Sequence, residues 1–268
     1  MVRGTPKGDV SSQAELLSLP LFSQGVVQAE INLIRNPFCI ISKNHLKPKE
    51  SLVYEEITPN GIKHLWKVIP NIEYGHAGGL DKKVIATVQK LATDQGFPPP
   101  RLLAIGSLNG LCRLMKIKEH PKNRQDIRKS LLRIASTTIY TDNFFIKEKN
   151  QFWENSLSGG QFTLWNVYWK GKKLPNGEKA QAIFLELNAP FLVSLQSFYT
   201  VPLDYDFYIS LPPLAQRLYE LTRLRFYGLR DSAYARFEYP HLCNVLPVRR
   251  QDYFSKAKLA FGRAHKAL

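Results

Sequence analysis

The feature that most restricts the fold is a change of hydrophobic period near Thr137. Upstream of it, Ser107 can cap a helix over Leu108–Met115. A second helix is predicted over Asn123–Ser136, where Ile127, Leu131 and Ile134 recur at helical spacing and Arg124, Arg128 and Arg133 lie elsewhere on the surface. From Thr137 the run Thr137-Thr138-Ile139-Tyr140 is β-branched and aromatic, which favours strand. Gln161–Trp169 and Gln181–Leu187 read as two further strands. The loop between them, KGKKLPNG, carries Lys170, Lys172 and Lys173 and closes on an Asn-Gly turn. Two helices, a basic turn and a β-ribbon with a basic tip form the order of a winged helix.

The opening of that pattern recurs at the end of the chain. Tyr239–Leu246 can form a short helix, which Pro247 stops. Arg249 and Arg250 follow in a turn, and then Phe254, Ala257, Phe261, Ala264 and Leu268 make one apolar stripe at helical spacing. Lys256, Arg263 and Lys266 lie opposite the stripe, with Lys258 and His265 at its flank. Gln251 and the arginines stand at the N-terminal end of this helix, where base contacts arise in helix-turn-helix proteins. The stretch 239–268 holds six Lys or Arg against one acid, Asp252, and 116–149 holds nine against four. Either unit alone reads equally well as a solvated basic face. Two such units plus a lysine-bearing ribbon supply phosphate neutralisation from several directions, as duplex DNA requires.

The rest of the chain frames these units. Residues 1–35 read as an N-terminal tail. Asn36–Ser42 is predicted as a strand, and Ser51–Ile57 with Ile62–Ile69 as a hairpin about Pro59-Asn60-Gly61. Asp81 is placed as the N-cap of a helix to about Asp94, ended by Gly96 and Pro98–Pro100. Asn188 caps a short helix to Gln196, VPLDYDFYISL reads as strand, and Pro213–Tyr227 is a strong amphipathic helix. The expected fold class is α+β with tandem winged-helix domains: 36–230 the first, with its N-terminal hairpin, and 231–268 the start of a second.

A formal charge of +15 on 268 residues draws the chain to polyanions, nucleic acid or an anionic membrane surface. No apolar run reaches the roughly 20 residues that span a bilayer, and the N-terminus lacks a signal-peptide pattern. Cys39, Cys112 and Cys243 stand far apart among apolar neighbours, as buried free thiols of a reducing cytoplasm do. Catalytic signatures are missing: there is no GxxxxGK[ST] phosphate loop, no HExxH and no paired cysteines. The six histidines are never closer than 12 residues, too dispersed for a strand-nicking initiator. Asp204 with Asp206 is a weak metal candidate, and Tyr253 beside arginines a weaker recombinase nucleophile. No cofactor, no metal and no enzymatic activity are expected.

The run CNVLPVRRQDYFSKAKLAFGRAHKAL resembles the C-terminal module of plasmid replication initiators of the replication initiator protein A group. LPPLAQRLYELTR is similar to a second segment of that group, and the likeness extends over roughly 50–268. It implies tandem winged helices that bind repeated origin sequences, self-association through the first module, recruitment of host helicase and replication proteins, and no chemistry. The expected partners are therefore double-stranded origin DNA and host replication proteins, with no membrane. The expected contacts are Arg249, Arg250, Gln251, Lys256, Lys258, Arg263 and Lys266, with Arg124, Arg128, Lys170, Lys172 and Lys173 as secondary phosphate ligands. A winged-helix repressor is the alternative in the same class, and a nuclease or recombinase the alternative outside it. Because the second module stops within its recognition helix, the chain is expected to be a fragment whose intact form adds a β-hairpin.

Overall fold

The computed structural model describes residues 25–41, 47, 49–57, 61, 63–142, 159–173, 179–228 and 234–268. Its first strand, β1 (Val26–Glu30), pairs antiparallel with β9 (Thr200–Asp204), Val26 opposite Asp204 and Glu30 opposite Thr200. Val27, Ala29, Val201 and Leu203 point into the core from this ribbon. Glu30 then caps α1 (Ile31–Arg35), accepting the Leu33 amide at 2.8 Å. Burial raises the pKa of Glu30, against the lowering effect of hydrogen bonds from Ser194 Oγ (2.5 Å), the Leu33 amide and Asn32 Nδ2 (2.6 Å). Residues 26–35 are thus part of the core and not of a tail; 1–24 lie outside the described residues. The strand expected over Asn36–Ser42 is not formed by 36–41. That backbone is satisfied irregularly instead, with Pro37 O accepting Trp66 Nε1 (2.9 Å) and the Ile40 amide donating to Ala77 O (2.8 Å).

The hairpin forms as β2 (Leu52–Ile57) and β3 (Lys63–Ile69), with Leu52 opposite Val68. Residues 58–60 of its turn lie outside the described residues. It is not an isolated extension. β5 (Thr138–Asp142) adds to β3, and β6 (Gly160–Phe162) adds to β5, giving the order β2-β3-β5-β6. The predicted strand Gln161–Trp169 is therefore split. Gly160–Phe162 joins this sheet, and the residues from Trp165 onward join another.

Helix α2 (Gly79–Asp94) starts two residues before Asp81. Asp81 sits within the first turn, where its carboxylate accepts the Gly78 amide at 2.7 Å. Both its oxygens also receive Arg133 Nη1, at 2.7 and 2.8 Å, while Arg133 Nε donates to Tyr74 O. Arg133, expected on the surface, is drawn inward because the nearly inaccessible Asp81 needs a counter-charge. Next come β4 (Leu102–Gly106), α3 (Leu108–Leu114) and α4 (Pro121–Ser136), with Ile127, Leu131 and Ile134 fully buried. Ser107 caps α3 as its sequence predicts, its Oγ accepting the Gly110 amide at 3.1 Å. Ser107→Ala should therefore cost about 1 kcal/mol of unfolding free energy, read as a lower urea midpoint at unchanged slope.

Strands β7 (Trp165–Lys173) and β8 (Lys179–Leu187) form a separate three-stranded sheet with β4, in the order β4-β8-β7. Their ladder runs on to Lys173 opposite Lys179. Lys170, Lys172 and Lys173 thus belong to the ribbon itself rather than to its tip, whose residues 174–178 lie outside the described residues. Trp165 anchors the ribbon to α4, fully buried, with Nε1 donating to Leu131 O at 3.4 Å.

After α5 (Ala189–Gln196) and β9, the run expected as strand turns into helix α6 (Tyr205–Ser210). Asp204 is the reason: its Oδ1 accepts the Phe207 amide at 2.9 Å and starts the helix. Asp206 pairs with Lys116 at 2.8 Å, so this aspartate couple caps and bridges. Among the described residues no cluster of three or more metal-ligating side chains occurs. Finally α7 (Pro213–Gly228) crosses the start of α2. A Cβ on Gly79 would lie 2.7 Å from the Pro213 ring, so this approach requires glycine. No helix of the described residues is long and apolar enough to cross a membrane.

Candidate nucleic-acid interface

The C-terminal helix pair is α8 (Tyr239–Val245) and α9 (Phe254–Ala267). Pro240 stands at the first turn of α8, where a missing N–H costs nothing. Val245 and Leu246, at its far end, are buried in the main core. Arg217 of α7 holds that end, Nε and Nη2 each donating to Val245 O at 3.4 Å and Nη1 to Leu33 O at 3.2 Å. Two carbonyls from distant parts of the chain are thereby tied to one guanidinium.

The connection to α9 is also anchored. Tyr239 Oη accepts the Gln251 amide at 2.9 Å, and the Tyr239 ring meets Phe261 edge-on at 6.0 Å. Of the predicted apolar stripe, Ala257 and Ala264 are buried and Phe261 packs on the core, while Ala264 seats against Leu211 and Ala215 at α7. Small residues on both helices let the axes approach. The ends of the stripe behave differently: Phe254 is 83% exposed and Leu268 44%. α7 covers the middle of the stripe, which the sequence alone left without a partner.

Fixing one face of α9 presents the other. Lys256, Arg263 and Lys266 are exposed, as are Lys258 at the flank and Arg249 and Arg250 in the preceding turn. Gln251, Lys256 and Arg263 line one open groove together with Leu259, a residue sequence reading did not single out. Its position was legible: three residues after Lys256 and four before Arg263 is the same side of a helix. Lys256 Nζ also lies 5.3 Å from the centre of the Tyr253 ring, a cation–π contact that gives Tyr253 a packing role.

The residues of the first unit are not gathered into that groove. Arg124 is half-buried and donates from Nη1 to Asn109 Oδ1 at 3.2 Å, bracing α4 on α3. Arg128 is exposed, its guanidinium 4.8 Å from the Trp169 ring, so it bridges α4 to β7 next to the exposed Lys170. Lys172 and Lys173 are placed on β7 by backbone alone.

The polar feature the sequence hid lies beneath the interface. Glu220 of α7 receives Lys82 Nζ at 2.6 Å, Arg217 Nη1 at 3.1 Å and Tyr208 Oη at 2.7 Å; Arg217, Tyr208 and Glu220 are buried and Lys82 nearly so. Burial opposes ionisation of Glu220, yet Lys82 and Arg217, helped by the hydrogen bonds, outweigh it and hold its carboxyl below the usual range. Burial likewise lowers the Lys82 ammonium, with Glu220 opposing. Burial and the neighbouring Glu220 push the Tyr208 phenol up.

No family model matches this chain, and no curated protein does. Solved structures of RctB domains are similar. The crystal structure of RctB domains 2-3 superposes with a TM-score of 0.53 at 12% identity, over 88% of this chain and 83% of that one. A structure of selenomethionine derivatives of RctB domains 2 and 3 gives 0.49 at 13% identity, over 72% and 70%. The chain shares with RctB domains 2-3 a mixed α/β fold built on small sheets.

Proposed function

We propose that this protein is a replication initiator that binds duplex DNA and acts by binding rather than by chemistry. The observation that carries the reading is the groove of Gln251, Lys256 and Arg263 on α9, a helix whose opposite face is locked to α7. A rigid basic helix with a free polar face meets the needs of major-groove insertion. In this reading α2, β4, α3, α4, β7 and β8 form a winged helix, with β7–β8 as its wing. Arg128 and the ribbon lysines then supply further phosphate contacts. The fold shared with RctB, a replication initiator, supports the same role. Recognition of plasmid origin repeats, self-association through the first unit and recruitment of host helicase belong to the proposal, as does action in the cytoplasm.

Two measurements test it. Fluorescence anisotropy with duplexes tiling the DNA around the gene should find one tight site, with log K falling steeply and linearly against log salt. A plasmid carrying that site should replicate only when the protein is supplied in trans. Tight binding without rescued replication would favour a repressor, and no duplex binding at low salt would sink the DNA reading altogether.

A further inference from the structure

Two residues on the outward face of α9 have no role inside the chain. Leu259 is 70% exposed, although leucine gains most from burial. Gly262 sits in the interior of α9, where glycine weakens a helix. A Cβ there would meet nothing within 4 Å, so neither crowding nor an unusual turn calls for glycine. At helical spacing the two share a face with Ser255, Lys256, Arg263 and Lys266. This face is an apolar side chain and a stretch of bare backbone framed by cations, and α9 contains no acidic residue.

From this placement we infer that Leu259 and Gly262 are the base-reading strip of α9. Leu259 packs on the 5-methyl group of a thymine in the major groove, and Gly262 lets the helix backbone seat close to the groove floor. The inference rests on the reading of α9 as the DNA-binding helix. Charge selects the occupant: a polyanion satisfies Lys256, Arg263 and Lys266 while the strip between them meets base edges. Apolar contact with the thymine methyl is the sequence signal a leucine can read, since it has no hydrogen-bonding group. Gly262 then serves the approach that Leu259 needs.

The test uses the full chain. Duplexes are enriched from a randomised pool by repeated gel shift with the wild-type protein, and the enriched duplex is remade with deoxyuridine at each thymine in turn. At one thymine, loss of the methyl should weaken wild-type binding about fourfold, the worth of one buried methyl. Leu259→Ala should bind the parent duplex correspondingly less well and be indifferent to uracil at that position. Gly262→Ala should raise the thermal midpoint and yet weaken the enriched duplex about tenfold, as a disturbed base contact does. Both variants should bind a scrambled duplex as wild type does. Uracil insensitivity at every thymine, or a Leu259→Ala variant as sensitive as wild type, overturns the role of Leu259. Unchanged affinity in Gly262→Ala overturns that of Gly262. A wild-type chain that binds no duplex overturns the DNA reading of α9 and this inference with it. Duplex binding without these effects overturns the inference alone and points to a protein partner for the strip.

Discussion

Glu220→Ala should lower the unfolding free energy by about 3–5 kcal/mol, a large share of what a domain of this kind possesses. Glu220 is the shared acceptor of Lys82, Arg217 and Tyr208, at 2.6, 3.1 and 2.7 Å. Its removal leaves an ammonium and a guanidinium buried without their counter-charge, which is the costly half of dismantling a buried ion pair. Urea denaturation at neutral pH measures the loss. The exposed pair Lys63–Glu55, at 3.0 Å, is the control, and Glu55→Ala should cost less than about 1 kcal/mol. Equal, small losses for both would show that the buried network does not hold α7 to α2.

The same network predicts a direction with pH. A carboxyl whose folded pKa lies below its unfolded value contributes stability that is present above the unfolded value and lost as pH falls through the folded one. Glu220 is such a group. Acidification below the ordinary carboxylate range should therefore erode wild-type stability and narrow the gap to Glu220→Ala. Glu30 works the other way, since burial raises it. Its share is a penalty that grows as pH rises from the ordinary carboxylate range toward its own folded value. Protonating Glu220 also frees Arg217, the group that clamps Val245 O and with it α8. DNA affinity should fall together with stability in Glu220→Ala.

The second large effect is on binding alone. Lys256→Glu combined with Arg263→Glu should weaken duplex binding about a hundredfold or more, because two groove contacts become repulsive toward phosphate. Both side chains are exposed and opposite Ala257, Phe261 and Ala264, so the unfolding free energy should change by less than about 0.5 kcal/mol. The slope of log K against log salt should fall by about two, one for each lost contact. Anisotropy at three salt concentrations and one melting curve decide the matter. A double variant that binds like wild type would remove α9 as the reader, and one that fails to fold would show the helix to be structural.

Much of this architecture is set by local chemistry. Ser107 starts α3, Ile127, Leu131 and Ile134 space the buried face of α4, and the hairpin β2–β3 alternates about a short connection. Each depends on residues within a few positions of one another, so chain order reveals them. The exposed basic side of α9 was legible for the same reason, since an α-helix sorts its faces by spacing alone. Tertiary structure decided the rest. β1 pairs with β9 across more than half the chain, which turned residues 26–35 from a tail into core. The ribbon outran its apparent end because cross-strand partners, not alternation, set its length. Arg133 went inward because Asp81, far away in sequence, lacked a counter-charge. Lys82, Arg217 and Glu220 looked like ordinary helix residues, and Tyr208 like part of a strand, until packing excluded water around them. Burial, partner and charge balance are properties of a folded environment, and a sequence read in windows holds only the local half of that information.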